Sequence, residues 1–232
     1  LLQSESVTRL ENDVISLQSQ AIAYLDHANS NTIEKFNMHL NAAKRDLDTL
    51  STYLNEYDEN YQNNIKRLNE YLNNYQDTFN RVVVNRTKRE QLYITQFKQP
   101  IEALKAQLNE LKKSTLTSKQ NKIVNTLLTI SNIEQATTNY LHKPNYDEAQ
   151  NVQDNLAHLN TLLASIETAN VNLLNNTDEL EQAYSQLVIL TRSYTFSINV
   201  VLTGIENELL YLAEKIRDVE KQKLTQTEQQ LR

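Results

Sequence analysis

Four histidines, no cysteine and a single glycine bound the chemistry open to this chain of 232 residues. His27, His39, His142 and His158 fall on separate segments without His-x-x-x-His spacing, so they do not read as metal ligands. The absence of cysteine removes thiol nucleophiles, thiolate metal sites and disulfides together. One glycine cannot build a loop that cradles phosphate. Carboxylates are numerous, but Glu102, Lys105, Glu110 and Lys113 are spaced as helix-face ion pairs, worth roughly 0.2–0.5 kcal/mol each. Neither an enzyme nor a cofactor site is expected.

Two arginines stand out instead. Apolar residues recur at helical spacing through Leu68, Leu72, Tyr75, Phe79 and Val82, and continuing that rhythm puts Arg86 and Arg89 where core residues belong. Tyr93 then resumes the apolar pattern, and the corresponding region of the last helix holds Gly204, Ile205 and Glu208. A buried unpaired charge is costly, so these arginines need Glu208, a capping carbonyl or a bound anion. Arg9 and Arg192 are the further cationic candidates, which makes the ligand-binding set Arg86, Arg89, Glu208, Arg9 and Arg192.

The elements that must position these residues are helices. One Gly and two Pro are far too few for the turns of a sheet protein. An apolar fraction of 39% suits thin bundles that bury a stripe per helix better than one thick core. Heptad-like spacing predicts six helices, with breaks near 29–31, 58–60, 114–118, 142–145 and 175–177. Thr32 reads as an N-cap, and Asn175-Asn176-Thr177-Asp178 as a turn and cap. Pro100 lies inside the third helix, where a bend is expected and not a stop.

The helix lengths run short-short-long twice. Tyr24-Leu25 matches Tyr140-Leu141, and Leu40, Ala43, Leu47 and Leu50 fall on Leu156, Leu159, Leu163 and Ile166, which indicates an internal duplication. Each half reads as two end-to-end short helices folded back on a long one. The expected fold class is all-α: six helices in two stacked four-helix bundle modules. One module would comprise about 1–28, 88–141 and 204–232, and the other about 32–87 and 146–203, with both chain ends at one end of the rod. Gly204 reads either as a point of close helix approach on the seam of Ile205, Glu208, Leu212 and Ile216, or as a surface position. Tyr53, Tyr57, Tyr61, Tyr71 and Tyr75 read as core and rim residues.

Twenty-three basic residues against 29 acidic ones leave a net charge of −6, which argues against nucleic acid as a partner. No run of about 18 apolar residues is present, so no membrane-spanning helix is expected. The length, the repeated short-short-long order, and stretches such as Asn139-Tyr-Leu-His-Lys-Pro-Asn-Tyr-Asp-Glu-Ala149 and Tyr194-Thr-Phe-Ser-Ile-Asn-Val-Val201 resemble the helical bimodular sensor domain of bacterial chemoreceptors and sensor kinases. That resemblance implies a periplasmic domain of an inner-membrane protein, tethered through flanking helices outside this chain and paired as a homodimer. It also implies a small-molecule ligand, an organic acid or other small polar solute. A related helical layout would read a periplasmic binding protein, and a ligand-free interaction rod would show the same periodicity. Family members line their sites with arginines from several helices. Here the first helix offers only Arg9, and the distal part of the sixth only Arg192.

Overall fold

The computed structural model describes residues 2–53, 56–166 and 171–232, and among them there is helix and no strand. Six helices follow the expected order of lengths. Helix α1 is Leu2–Asp26 and α2 is Ser30–Ser51. Helix α3 runs Glu59–Leu92 as α-helix, Tyr93–Lys98 as π-helix and Gln99–Ser114 as α-helix again. Helix α4 is Thr117–His142 and α5 is Tyr146–Ser165. Helix α6 repeats the composite form: Val171–Phe196, a π-helix over Ser197–Leu202, then Thr203–Gln230.

Local chemistry sets most of these ends. Asn29, not the expected Thr32, caps α2, with its side chain accepting from the Thr32 N–H at 3.0 Å. Thr32 instead donates its hydroxyl to the His27 carbonyl at 2.6 Å, which pins the preceding turn. Asp58 caps α3 through the Tyr61 N–H, and Asn145 caps α5 through the Glu148 N–H. Pro144 ends α4 by pushing the residue before it out of helical geometry, and Lys143 sits at φ −135°, ψ 84°. Pro100 stops nothing, since a proline in the first turn of the Gln99–Ser114 segment lacks only an N–H that the preceding π turn leaves free.

The expected turn at 175–177 is not there. Those residues lie inside α6, because Thr177 is buried and returns its hydroxyl to the Leu173 carbonyl at 3.1 Å, while Asn176 reaches Gln107 at 3.4 Å. Burial of Thr177 against the core of unit 2, with its hydroxyl satisfied inside the helix, lets the packing of α6 override the local turn preference of this polar run. The break between α5 and α6 falls at 166–170, partly outside the described residues.

The chain forms two compact units. Unit 1 is Leu1–Val84 with Tyr194–Arg232, and unit 2 is Asn85–Ser193. This division differs from the expected modules, which separated 1–28 from 32–87 and 88–141 from 146–203. The reason is that α1 and α2 lie side by side and antiparallel, not end to end. Arg9 meets Asp46 at 3.1 Å and Asp13 meets His39 at 3.3 Å. The break at Asn29 is therefore a hairpin tip, and both short helices of the first half belong to unit 1.

Unit 1 gathers α1, α2, the first part of α3 and the second part of α6 around one core, with Leu17, Phe36, Leu47, Tyr61, Leu68, Tyr75, Leu212 and Ile216 all at 2% exposure or less. Phe36 stacks on Phe79 with ring centroids 3.7 Å apart. Arg217 on α6 binds Glu11 on α1 at 2.7 Å, so the beginning and end of the described chain lie together in this unit. The tyrosines behave as core and rim: Tyr61 and Tyr75 are buried, Tyr57 and Tyr71 partly so. Unit 2 is built in the same way from the end of α3, α4, α5 and the start of α6, around Phe97, Leu104, Ile130, Leu159 and Leu187. Lys105 pairs along its own helix with Glu102 and across to Glu134.

One helix, over Asn175–Gln230, does contain an 18-residue window of mean hydropathy 1.3, long and apolar enough to cross a membrane by length and composition alone. The expectation of no such segment is corrected here. The run between Arg192 and Glu206 carries no charged side chain. Its core-facing residues Tyr194, Ile198 and Leu202 are nevertheless buried within unit 1.

Candidate functional site

Both π segments have a cause in the spacing of core residues. Along α3 the seam steps by three and four through Arg86 and Arg89, then by four three times through Tyr93, Phe97 and Ile101, before alternation returns at Leu104 and Leu108. Along α6 the same rhythm passes through Thr191 and Tyr194, then Ile198, Leu202 and Glu206, and returns at Leu209 and Ala213. Three consecutive steps of four place one residue too many in the heptad. A π turn, bonded i to i+5, absorbs that residue and returns the seam to its core.

A cleft of about 250 Å³ opens beside the π turn of α3, lined by Arg86, Arg89, Glu90, Tyr93, Thr138, Leu141 and His142. Its floor is Arg89, whose side chain is 1% exposed. Arg89 donates to the Leu141 carbonyl at 3.2 Å and to the Thr191 hydroxyl at 3.3 Å. Leu141 lies in the last turn of α4, where carbonyls lack helical partners and a cation is favoured. Of the three partners expected for these arginines, the capping carbonyl is therefore the one found for Arg89. Arg86 is mostly covered, at 17% exposure, and lies at the cleft's edge.

One carboxylate oxygen of Glu90 accepts from both guanidinium groups, each at 3.0 Å. Both cations are therefore tied to the half-exposed Glu90, and His142 also lines the cleft. Tyr93 begins the π turn and stacks on buried Phe97 at 5.7 Å between centroids, so the cleft wall continues into the core of unit 2. A cleft of this volume lined by two guanidinium groups can hold a small anionic solute through guanidinium hydrogen bonds, with Tyr93 and Thr138 offering hydroxyls.

The other predicted site residues lie elsewhere. Glu208 faces Arg67 at 3.9 Å in unit 1 and not the arginines of α3. Arg9 is held by Asp46 at 3.1 Å and Ser6 at 3.2 Å. Arg192 is exposed and does not line the cleft; its charge draws the Tyr184 phenol down slightly against burial, which pushes it up. Glu90, Tyr93, Thr138 and His142 were not predicted as site residues. Glu90 was legible as the residue four after Arg86 and next to Arg89. Thr138 and His142 enter only through the packing of α4 on α3.

Gly204 does not permit close helix approach. A Cβ built there meets nothing within 4 Å, so the residue faces open space. Among the described residues, no group of three or more His, Asp or Glu side chains is placed to hold a metal ion. No protein-family model matches this chain, and no curated protein matches it.

Proposed function

We propose that this chain is the extracytoplasmic, ligand-binding sensory domain of a bacterial transmembrane chemoreceptor or sensor kinase, paired as a homodimer. The reading rests on one observation: a cleft of about 250 Å³ lined by Arg86 and Arg89, both of which bond the half-exposed Glu90. The ligand in this reading is a small organic acid whose carboxylate competes with Glu90 for the guanidinium groups. Pairing of α1 with α6 in the unit that holds both ends of the described chain gives the message a route toward the membrane. A slide or rotation on the 1–2 Å scale of helix-interface movements is the expected output.

The test is a thermal-shift screen of the intact chain against organic acids, amino acids and amines, followed by calorimetry on any hit. A ligand present at 100 times its dissociation constant stabilises by about 2.7 kcal/mol, a readily measured rise in melting temperature. Arg86→Ala is expected to weaken binding of an acid at least tenfold while costing the free protein about 1 kcal/mol or less of stability. If no small solute binds, the ligand-sensing reading fails and a helical sensor that reads a periplasmic binding protein, or a ligand-free interaction rod, takes its place. Flotation of the full-length protein with inner-membrane vesicles tests the placement independently.

A further inference from the structure

The extra residue of α6 sits beside a buried polar node. Gln18, on α1, is 7% exposed and donates its amide to the Ile198 carbonyl at 3.4 Å and to the Thr203 hydroxyl at 2.8 Å. Ile198 lies within the π segment and Thr203 directly follows it. The Tyr75 hydroxyl, on α3, donates to the Gln18 side-chain oxygen Oε1 at 2.6 Å, and Tyr75 is fully buried. One side chain thus ties the π turn to two neighbouring helices.

The seam of α6 accepts its extra residue in more than one place. In the observed seat the core-facing residues after Ile198 are Leu202 and Glu206, followed by Leu209. Placing the π turn about two turns nearer the C-terminus, between Ile205 and Leu209, would put Val201 and Ile205 on the seam and leave Ile198 and Leu209 where they are. Val201 and Ile205 are already half-buried at the edge of the seam. Glu206 gains nothing from its present place, since burial raises its carboxyl above the usual range. The same operation on α3 would bring Gln96 and Pro100 to the core in place of Phe97 and Ile101, so that helix has one apolar seat only. Gly204 lies within the segment that would turn, its face open and its backbone a poor helix former by about 1 kcal/mol.

We propose that the π turn over Ser197–Leu202 is a two-seat register element, held in its first seat by the Gln18–Tyr75 node and able to move about two turns along α6 when that node is released. The move turns the segment between Ile198 and Leu209 by about 100°, the angle of one helical residue, while both flanking stretches keep their cores. Small local shifts become discrete states because packed seams are bistable. The device belongs to unit 1 alone and works without a ligand, so it stands or falls separately from the sensory reading.

The chain lacks cysteine, which makes paired spin labels a clean probe. Labels at Ile22→Cys and Val200→Cys, both at exposed positions, report the distance between α1 and the turning segment. The intact chain is expected to give one dominant distance. Gln18→Leu is expected to add a second, displaced population of at least one fifth, and Glu206→Leu placed on top of it to return the single distance by filling the first seat. Should Gln18→Leu fail to fold, Tyr75→Phe removes only the hydroxyl and is expected to act in the same direction. An unchanged single distance in a folded Gln18→Leu or Tyr75→Phe variant overturns the proposal. A second population that Glu206→Leu leaves in place overturns it as well.

Discussion

The two units carry the same irregularity in their long helices and meet it with different chemistry. In unit 2 the residues beside the π turn are charged. Arg89 is buried against the end of α4, Arg86 and Glu90 lie at the cleft, and Phe97 and Ile101 lock the register. In unit 1 the residues beside the π turn are neutral: Gln18, Tyr75 and Thr203 join three helices, and Glu206 stands where Ile101 stands in the other helix. A charged node next to a single-seat turn favours a fixed binding surface. A neutral amide next to a two-seat turn favours movement. The same extra residue therefore serves rigidity in one place and adjustability in the other.

The largest expected effect tests the charged node. Arg89→Ala removes a fully buried side chain and leaves the Leu141 carbonyl and Thr191 hydroxyl without their donor, at an expected cost of about 3 kcal/mol. Urea unfolding monitored by helical circular dichroism measures it, with Arg86→Ala as the contrast at about 1 kcal/mol or less because that side chain sits at the cleft edge. Equal costs for the two would erase the distinction between floor and rim.

The neutral node is expected to be weaker. Gln18→Leu costs about 1–2 kcal/mol, since it strands the Tyr75 hydroxyl in a buried place, and Tyr75→Phe costs about 1 kcal/mol. A loss as large as that of Arg89→Ala would make the node a rigid anchor and end the comparison.

A pH effect sharpens the picture of unit 1. Both carboxyl oxygens of Glu220 are buried without a hydrogen-bond partner among the described residues, and burial pushes the group up to about 7, against a smaller opposing pull from Arg217. A carboxyl with a raised folded-state pKa binds its proton more tightly in the native state. Its contribution is therefore fullest below the usual carboxylate range and is lost as pH rises through about 7. Discounted for half-exposure, the expected loss between pH 5 and pH 8 is about 1 kcal/mol, and Glu220→Gln is expected to abolish it in thermal unfolding at the two pH values. Glu206 and Asp13, also raised by burial, act in the same direction.

The smallest effect is at Gly204. With open space where a Cβ would go, Gly204→Ala is expected to stabilise by about 0.5–1 kcal/mol through helix propensity alone, read as a small rise in melting temperature. A destabilising outcome would mean that the helix needs its glycine for the turn nearby.

Much of this molecule is written in its periodicity. The scarcity of glycine and proline, the recurrence of apolar residues through Leu40, Leu68, Leu108, Leu159 and Leu187, and the Tyr-Leu pairs at 24 and 140 determined an all-helical chain with the order short-short-long twice. They also put Arg86 and Arg89 on a seam where charge needs a partner. The three steps of four at 89–101 were equally present, although a reading in whole heptads passes over them; on α6 the apolar Val201 and Ile205 mask the steps through Leu202 and Glu206.

Tertiary structure decided the rest, because helical spacing says which face of a helix is buried and not which helix covers it. It folded α1 back on α2 through Arg9–Asp46, so the polar stretch at Asn29 became a hairpin tip and not a boundary between modules. It took Glu208 away from the arginines and gave Arg89 the end of α4 instead. It kept Asn175–Thr177 helical by burying Thr177, where local propensity pointed to a turn. Side-chain hydrogen bonds of this kind join residues as far as 209 positions apart, as between Thr8 and Arg217. No local rule of sequence can pair them; only the packing of the helices brings donor and acceptor within reach.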